Sequence, residues 1–237
     1  MDINNSERLI TPCGNHKFWN IFAPDCKLGV YNFDKYNKDY VYVLMPKSKA
    51  KIFLRCVVFL TVKGKDKPYQ FAIVHRWRAK IGGPLDKHNW EPIKGQVEEK
   101  ELKAARRITG TKDYNSLLLE VLRYTIQREI VEESKINPAL VKNLQFRPEL
   151  AYTSNHADYP EQNMYYQYLY FTAEINEKDF IEAQDKLDKA SKDPRTLLLR
   201  KDEREKNALA LWSSRKGFES LMGGTPSAIV RLYLNNF

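Results

Sequence analysis

An α/β chain of the α+β kind is predicted, and three stretches predict it. Phe53 to Val62 and Tyr69 to Arg76 are apolar, β-branched runs separated by the polar turn Lys63-Gly64-Lys65-Asp66-Lys67-Pro68, which reads as a hairpin of a central sheet. Tyr165 to Glu174 alternates on the period of a strand. Between them, Glu120 to Ile136 contains no Pro or Gly, and its Leu, Ile, Arg, Gln and Glu content suits a helix.

In chain order, residues 1 to about 50 are rich in Tyr, Phe, Lys and Asn, turn near Pro24, Gly29 and Pro46, and hold a short strand over Tyr40 to Leu44. They are expected to form an N-terminal extension packed on a domain spanning 51–237. Tyr31, Phe33, Tyr36 and Tyr40, interspersed with Lys27, Lys35 and Lys38, suit either base stacking or packing. After the hairpin, a Gly82-Gly83-Pro84 turn leads to Trp90 and a Lys94-Gly95 turn. Residues 98 to 107 read as a helix ended by Thr109-Gly110-Thr111. Beyond the Glu-rich helix, Asn143 to Pro148 and Met164 to Ile175 read as strands, with 153 to 163 as the loop between them. Glu177 to Ala190 reads as a charged helix, and 194 to 222 as a basic helical stretch docked through Leu209, Trp212, Phe218 and Leu221. Thr225 and Pro226 mark the start of a last helix.

A chain of 237 residues can bury a sizeable core. Its net charge of +9 suits a polyanionic partner, without separating RNA, nucleotide and membrane surface. Three cysteines make no even disulfide framework, which fits a reducing compartment. Cys13 and His16 have no complementary pair, so zinc is not expected. The N-terminus has no signal peptide and no apolar run reaches the ~20 residues of a membrane span, so a cytoplasmic protein is expected.

The chemistry is concentrated in Arg128-Glu129-Ile130-Val131-Glu132-Glu133. Glutamates at i, i+3 and i+4 share one helical face, overlapping the arc of Leu122, Ile126 and Ile130 that should be buried. Three carboxylates beside an apolar stripe repel one another and resist desolvation, so positive charge must accompany them; a hard divalent cation is one source.

With Glu120 seven residues before Arg128, and Gly95 opening the motif within Trp90-Glu91-Pro92-Ile93-Lys94-Gly95-Gln96, the stretch resembles the Nudix hydrolase signature. It departs from that signature twice. Gly95 and Glu120 are separated by 24 residues where the signature has five, implying an insertion at about 97–118, and Lys135 stands where the signature has a late glycine. The lysine implies that the helix continues or ends differently.

The resemblance implies a mixed β-sheet sandwiched between helices and hydrolysis of a nucleoside diphosphate linked to another group. It implies Mg²⁺ or Mn²⁺ held by Glu129, Glu132 and Glu133, with the Lys94 carbonyl and a downstream carboxylate as further ligands. Glu174 is the favoured downstream ligand, with Glu161 and Glu177 as rivals. Glu133, then Glu129, is the favoured general base. Gly95, Glu120 and Arg128 would be structural, with Arg128 bridging Glu120 and Glu132. The layout also looks like the Nudix proteins of large DNA viruses that remove messenger RNA caps, in which case the compartment would be the host cytoplasm. Capped RNA is therefore the expected substrate, with Lys94, Arg106, Arg107, Lys201 and Arg204 as candidate RNA contacts. Dinucleoside or diphosphoinositol polyphosphates, and RNA binding without cleavage, are the alternatives. Oligomeric state is not legible in the sequence.

Overall fold

The structure, a computed structural model, describes residues 6–10, 17–33, 37–64, 67–76, 90–109, 113–155, 162–195 and 206–212. They form an α+β fold of ten strands and three α-helices. The chain divides into two compact units, each assembled from several segments.

The first unit comprises Met1–Val57, Lys94–Gln127 and Phe146–Tyr170. Strands β1 (Arg8–Ile10) and β2 (Lys17–Trp19) pair antiparallel as a small separate sheet. Strands β3 (Lys27–Phe33) and β4 (Lys38–Leu44) form an antiparallel pair with Tyr31 opposite Tyr40. β4 then pairs with the start of β5 (Lys51–Gly64), placing Tyr42 opposite Phe53. Alternation along these strands produces two unlike faces. Val41, Val43, Ile52, Leu54 and Cys56 are fully buried on one. On the other, Phe33 and Phe53 are buried with Met164 beneath half-buried tyrosines. The Tyr42 ring lies across Gly29, where an added Cβ would come within 2.3 Å of it.

Helix α1 (Glu99–Thr109) forms where the sequence predicts it and is the insertion's own element. Its start is closed by the buried Glu101, which reaches back to accept from the Glu98 N–H at 2.8 Å, one half of a capping box. The Glu-rich helix, α2 (Tyr114–Ser134), begins six residues before the expected Glu120, so the insertion's last residues belong to it. Asp113 supplies the reason, because its carboxylate accepts from the Ser116 N–H and hydroxyl at 3.0 and 2.7 Å.

The second unit comprises Val58–Ile93, Arg128–Gln145 and Phe171–Phe237. The expected hairpin is present: the far end of β5 pairs antiparallel with β6 (Lys67–Arg76). β6 also pairs with β7 (Trp90–Gln96) and β10 (Lys206–Trp212), both antiparallel. Two expectations are corrected here. Lys94-Gly95 is strand rather than turn, inside β7, where Val74 faces Glu91 and Ile73 faces Pro92 earlier in the same strand. Part of the expected helix over 194–222 is likewise strand. Lys-Asn-Ala-Leu-Ala-Leu-Trp has helical propensity, but the edge of β6 offers a full ladder of backbone partners, and pairing overrides propensity.

Strands β8 (Lys142–Asn155) and β9 (Met164–Asn176) extend the predicted ones, and residues 153–155 are strand rather than loop. β9 buries Gln167, Leu169, Phe171, Ala173 and Ile175 on one face and Tyr170 on the other. Helix α3 (Glu177–Lys192) is capped by Asn176, which accepts from the Asp179 N–H at 2.8 Å, and it buries Phe180, Ala183 and Leu187 along one side. The larger sheet has the order β10-β6-β7-β5-β4-β3, with β9 on β5 and β8 on β9. Among the described residues no helix is long and apolar enough to cross a membrane. The Gly82–Pro84 turn, Tyr36, Phe218, Leu221 and the Thr225 helix start lie outside the described residues.

Candidate active site

The end of α2, the edge of β7 and the start of β10 converge in the second unit. Glu129 and Glu133 are separated by one helical turn and both are buried, at 5% and 2% exposure, while Glu132 faces outward. Ile130, on the apolar arc the sequence predicts, is buried between them. The buried carboxylates are not left bare. The Lys206 ammonium lies 2.7 Å from Glu133 Oε1 and 2.5 Å from Glu91 Oε1. Arg128 Nη1 lies 2.6 Å from Glu129 Oε1 and 2.7 Å from Glu132 Oε2.

Burial opposes the charge on Lys206, but Glu133 and Glu91 favour it more, so its pKa is raised. Behind this group, the buried His75 shares a 2.7 Å hydrogen bond between Nδ1 and Asn207 Oδ1 and stands edge-on to Trp90. Trp90 is itself buried there, packed on the imidazole.

Of the expected bridge from Arg128 to Glu120 and Glu132, the Glu132 contact is present beside one to Glu129, while Glu120 pairs with Arg123 at 3.4 Å. Glu174, the favoured downstream ligand, pairs with Lys63 and accepts from Asn143 Nδ2 at 2.8 Å. Hydrogen bonds from Lys63 and Asn143 hold its carboxyl below the usual carboxylate range. Lys94 and Gly95 fall in the first unit, within β7. Arg106 and Arg107 are exposed on the last turn of α1. Lys201, Arg204 and Glu161 lie outside the described residues. Glu91 and Lys206 are the site residues that sequence reading misses. Lys206 is hidden among many basic residues of the C-terminal region, and only the pairing of β10 identifies it.

Lys135 takes a left-handed conformation, φ 62°, as the first residue past the helix. Its N–H donates to the Val131 carbonyl at 3.0 Å, the closure a glycine makes at that position. The helix thus ends where the signature's glycine would end it, correcting the expectation of a different or continued end. Lys135→Gly should relieve the left-handed strain and raise stability by up to about 1 kcal/mol, read as a higher urea midpoint at unchanged slope.

Among the described residues no three His, Cys, Asp or Glu side chains converge as a metal-ready cluster. Arg128 and Lys206 take carboxylate oxygens that a cation would share. The donor chemistry is nevertheless of the kind a hard divalent ion takes, carboxylate oxygens of Glu129, Glu132 and Glu133 along the last turns of one helix.

No family model matches the sequence, and no curated protein matches it. Similar solved structures include an Ap4A hydrolase of C. elegans in a binary complex, at 14% identity and TM-score 0.37, covering 78% of this chain and 99% of that one. A NUDIX hydrolase from Nitrosomonas europaea is 12% identical, with TM-score 0.36, over 78% of this chain and 88% of its own. The NUDIX domain of Shewanella oneidensis NrtR, complexed with ADP ribose, is 12% identical with TM-score 0.37, over 80% and 93%.

Proposed function

We propose that the chain is a divalent-metal-dependent hydrolase of phosphoric anhydrides of the Nudix type, acting on the 5′ cap of messenger RNA. Its products would be the capped nucleoside diphosphate and 5′-monophosphate RNA. The observation that carries the reading is the burial of Glu129 and Glu133 at the end of α2, within the run whose order resembles the signature. Glutamates at an apolar position are costly and persist where their charge is used.

Glu129, Glu132 and Glu133 would hold Mg²⁺ or Mn²⁺, with Glu174 as a further ligand by resemblance. The ion's contribution is to neutralise phosphate oxygens and make a bound water more acidic. Lys206 and Arg128 each fix one oxygen of Glu133 and Glu132, which sets those side chains in place before substrate arrives. Glu133, held on one oxygen by Lys206, would take the proton from the attacking water, with Glu129 as the second choice. The formal charge of +9, with Arg106 and Arg107 exposed, favours a long anionic substrate.

The test is incubation of cap-labelled RNA with Mg²⁺ or Mn²⁺. The native protein should release the labelled capped nucleoside diphosphate, and Glu132→Gln and Glu133→Gln should slow release by roughly 10²–10⁴-fold. Turnover of dinucleoside or diphosphoinositol polyphosphates with no release from capped RNA would move the activity to small molecules.

A further inference from the structure

We propose that the outer face of β3, β4, β5 and β9 in the first unit is a stacking platform for single-stranded RNA. The inference deepens the decapping reading, on which it rests for the identity of the polymer.

Strand register puts the face together. Tyr31 stands opposite Tyr40, and Tyr42 opposite Phe53, so Tyr31, Tyr40 and Tyr42 point to the side opposite the fully buried Val41, Val43, Ile52 and Leu54. Lys51 and Arg55 share that side with Phe53 by alternation. Tyr166 from β9 completes the group, packing with the other three tyrosines on buried Phe33, Phe53 and Met164. A layer needed only to shield that small cluster would be served by aliphatic side chains. Here the cover consists of four half-buried phenols whose rings alternate with cations.

The cations are the more telling part. Lys51 Nζ sits 4.9 Å from the Tyr31 ring centre and 5.6 Å from that of Tyr42. The Arg55 guanidinium lies 4.5 Å over Tyr166 and donates to the Tyr168 hydroxyl at 3.3 Å. Neither has a carboxylate among its described partners, and Arg55 Nε is buried with no acceptor there. Partly buried cations ordinarily find anions, so these two are placed to receive phosphates while the adjacent phenols receive bases. Gly29 leaves room for the end of the Tyr42 ring, which a Cβ at that position would meet at 2.3 Å. Sequence-tolerant binding of the RNA body is the result such a surface gives.

The test uses the full-length protein and a fluorescein-labelled, uncapped 12-nucleotide single-stranded RNA, followed by anisotropy across a salt series. Lys51→Met with Arg55→Met should weaken binding more than tenfold and flatten the salt slope by about 1.4, two phosphates' worth on a single strand. Tyr42→Leu with Tyr166→Leu should weaken binding about tenfold at unchanged slope. Unchanged affinity in both pairs overturns the platform, as does equal displacement of the RNA by inorganic polyphosphate from the native protein and the tyrosine variant. Should a variant fail to fold, 4-thiouridine RNA crosslinked to the native protein should map to peptides containing Tyr31, Tyr42 or Tyr166, and crosslinks confined elsewhere overturn it. Turnover of a dinucleotide cap analogue separates the two readings. Cap turnover with unaltered RNA binding in the variants defeats the platform alone, whereas platform-dependent RNA binding without cap turnover defeats decapping alone.

Discussion

Replacing Lys206 with methionine is expected to cost about 3–5 kcal/mol of folding stability, the usual consequence of removing one partner from a buried ion pair. The ammonium is the shared counter-charge of Glu133 and Glu91, and both Lys206 and Glu133 have side chains only 3% exposed. Without it Glu133 loses the ammonium that faces its carboxylate in a site closed to water. Urea denaturation should show the loss, and Lys206→Met combined with Glu133→Gln should recover part of it, giving a coupling energy by double-mutant cycle. The pH dependence has a definite sign. With its pKa raised above the ordinary 10.5, Lys206 contributes fully below that value and loses its contribution as pH climbs through the folded value. A native stability curve falling above pH 10.5, and flattened in the methionine variant, is the expected outcome.

Gln167→Leu should cost about 2–4 kcal/mol, through a different mechanism. Gln167 is buried in β9, and its amide closes a two-way clasp on the backbone of Trp19: Oε1 accepts from the Trp19 N–H at 2.7 Å and Nε2 donates to the Trp19 carbonyl at 3.0 Å. Leucine matches its bulk but leaves both backbone groups without that partner. The clasp joins positions 148 residues apart, so its loss should free the N-terminal segment before the rest of the unit. Limited proteolysis should cut ahead of β3 in the variant at concentrations that spare the native chain, while Gln167→Glu, which keeps the acceptor, should fall between them.

Elements specified by local chemistry were legible. The hairpin of β5 and β6 announces itself by two apolar runs and a polar turn, and α1 and α3 by charged helical runs, that of α1 followed by a Gly-containing stop. The acidic face of α2 was legible in part: helical spacing puts Glu129 and Glu133 together on the buried side, whereas Glu132, expected on the same face, turns outward. Where partners distant in sequence decide, local chemistry carries no signal. β10 looks helical until β6 is beside it, and Glu91 has no visible importance until Lys206 arrives. The early start of α2 is set locally, by Asp113 capping Ser116, a signal that the signature spacing masks. Lys135 shows a different limit, since backbone closure asks for a dihedral angle, and a lysine can supply at some cost what glycine supplies freely.

The bond between Lys206 and Glu91 spans 115 residues, and its consequence lies in the order of assembly. Contacts so far apart in the chain close late, since their loop entropy is offset only once nearer contacts have formed. During synthesis Glu91 and Glu133 leave the ribosome well before Lys206 does. Until β10 docks, that end of α2 must stay open to water, and the site becomes dry and ordered in the same event that closes the edge of β6.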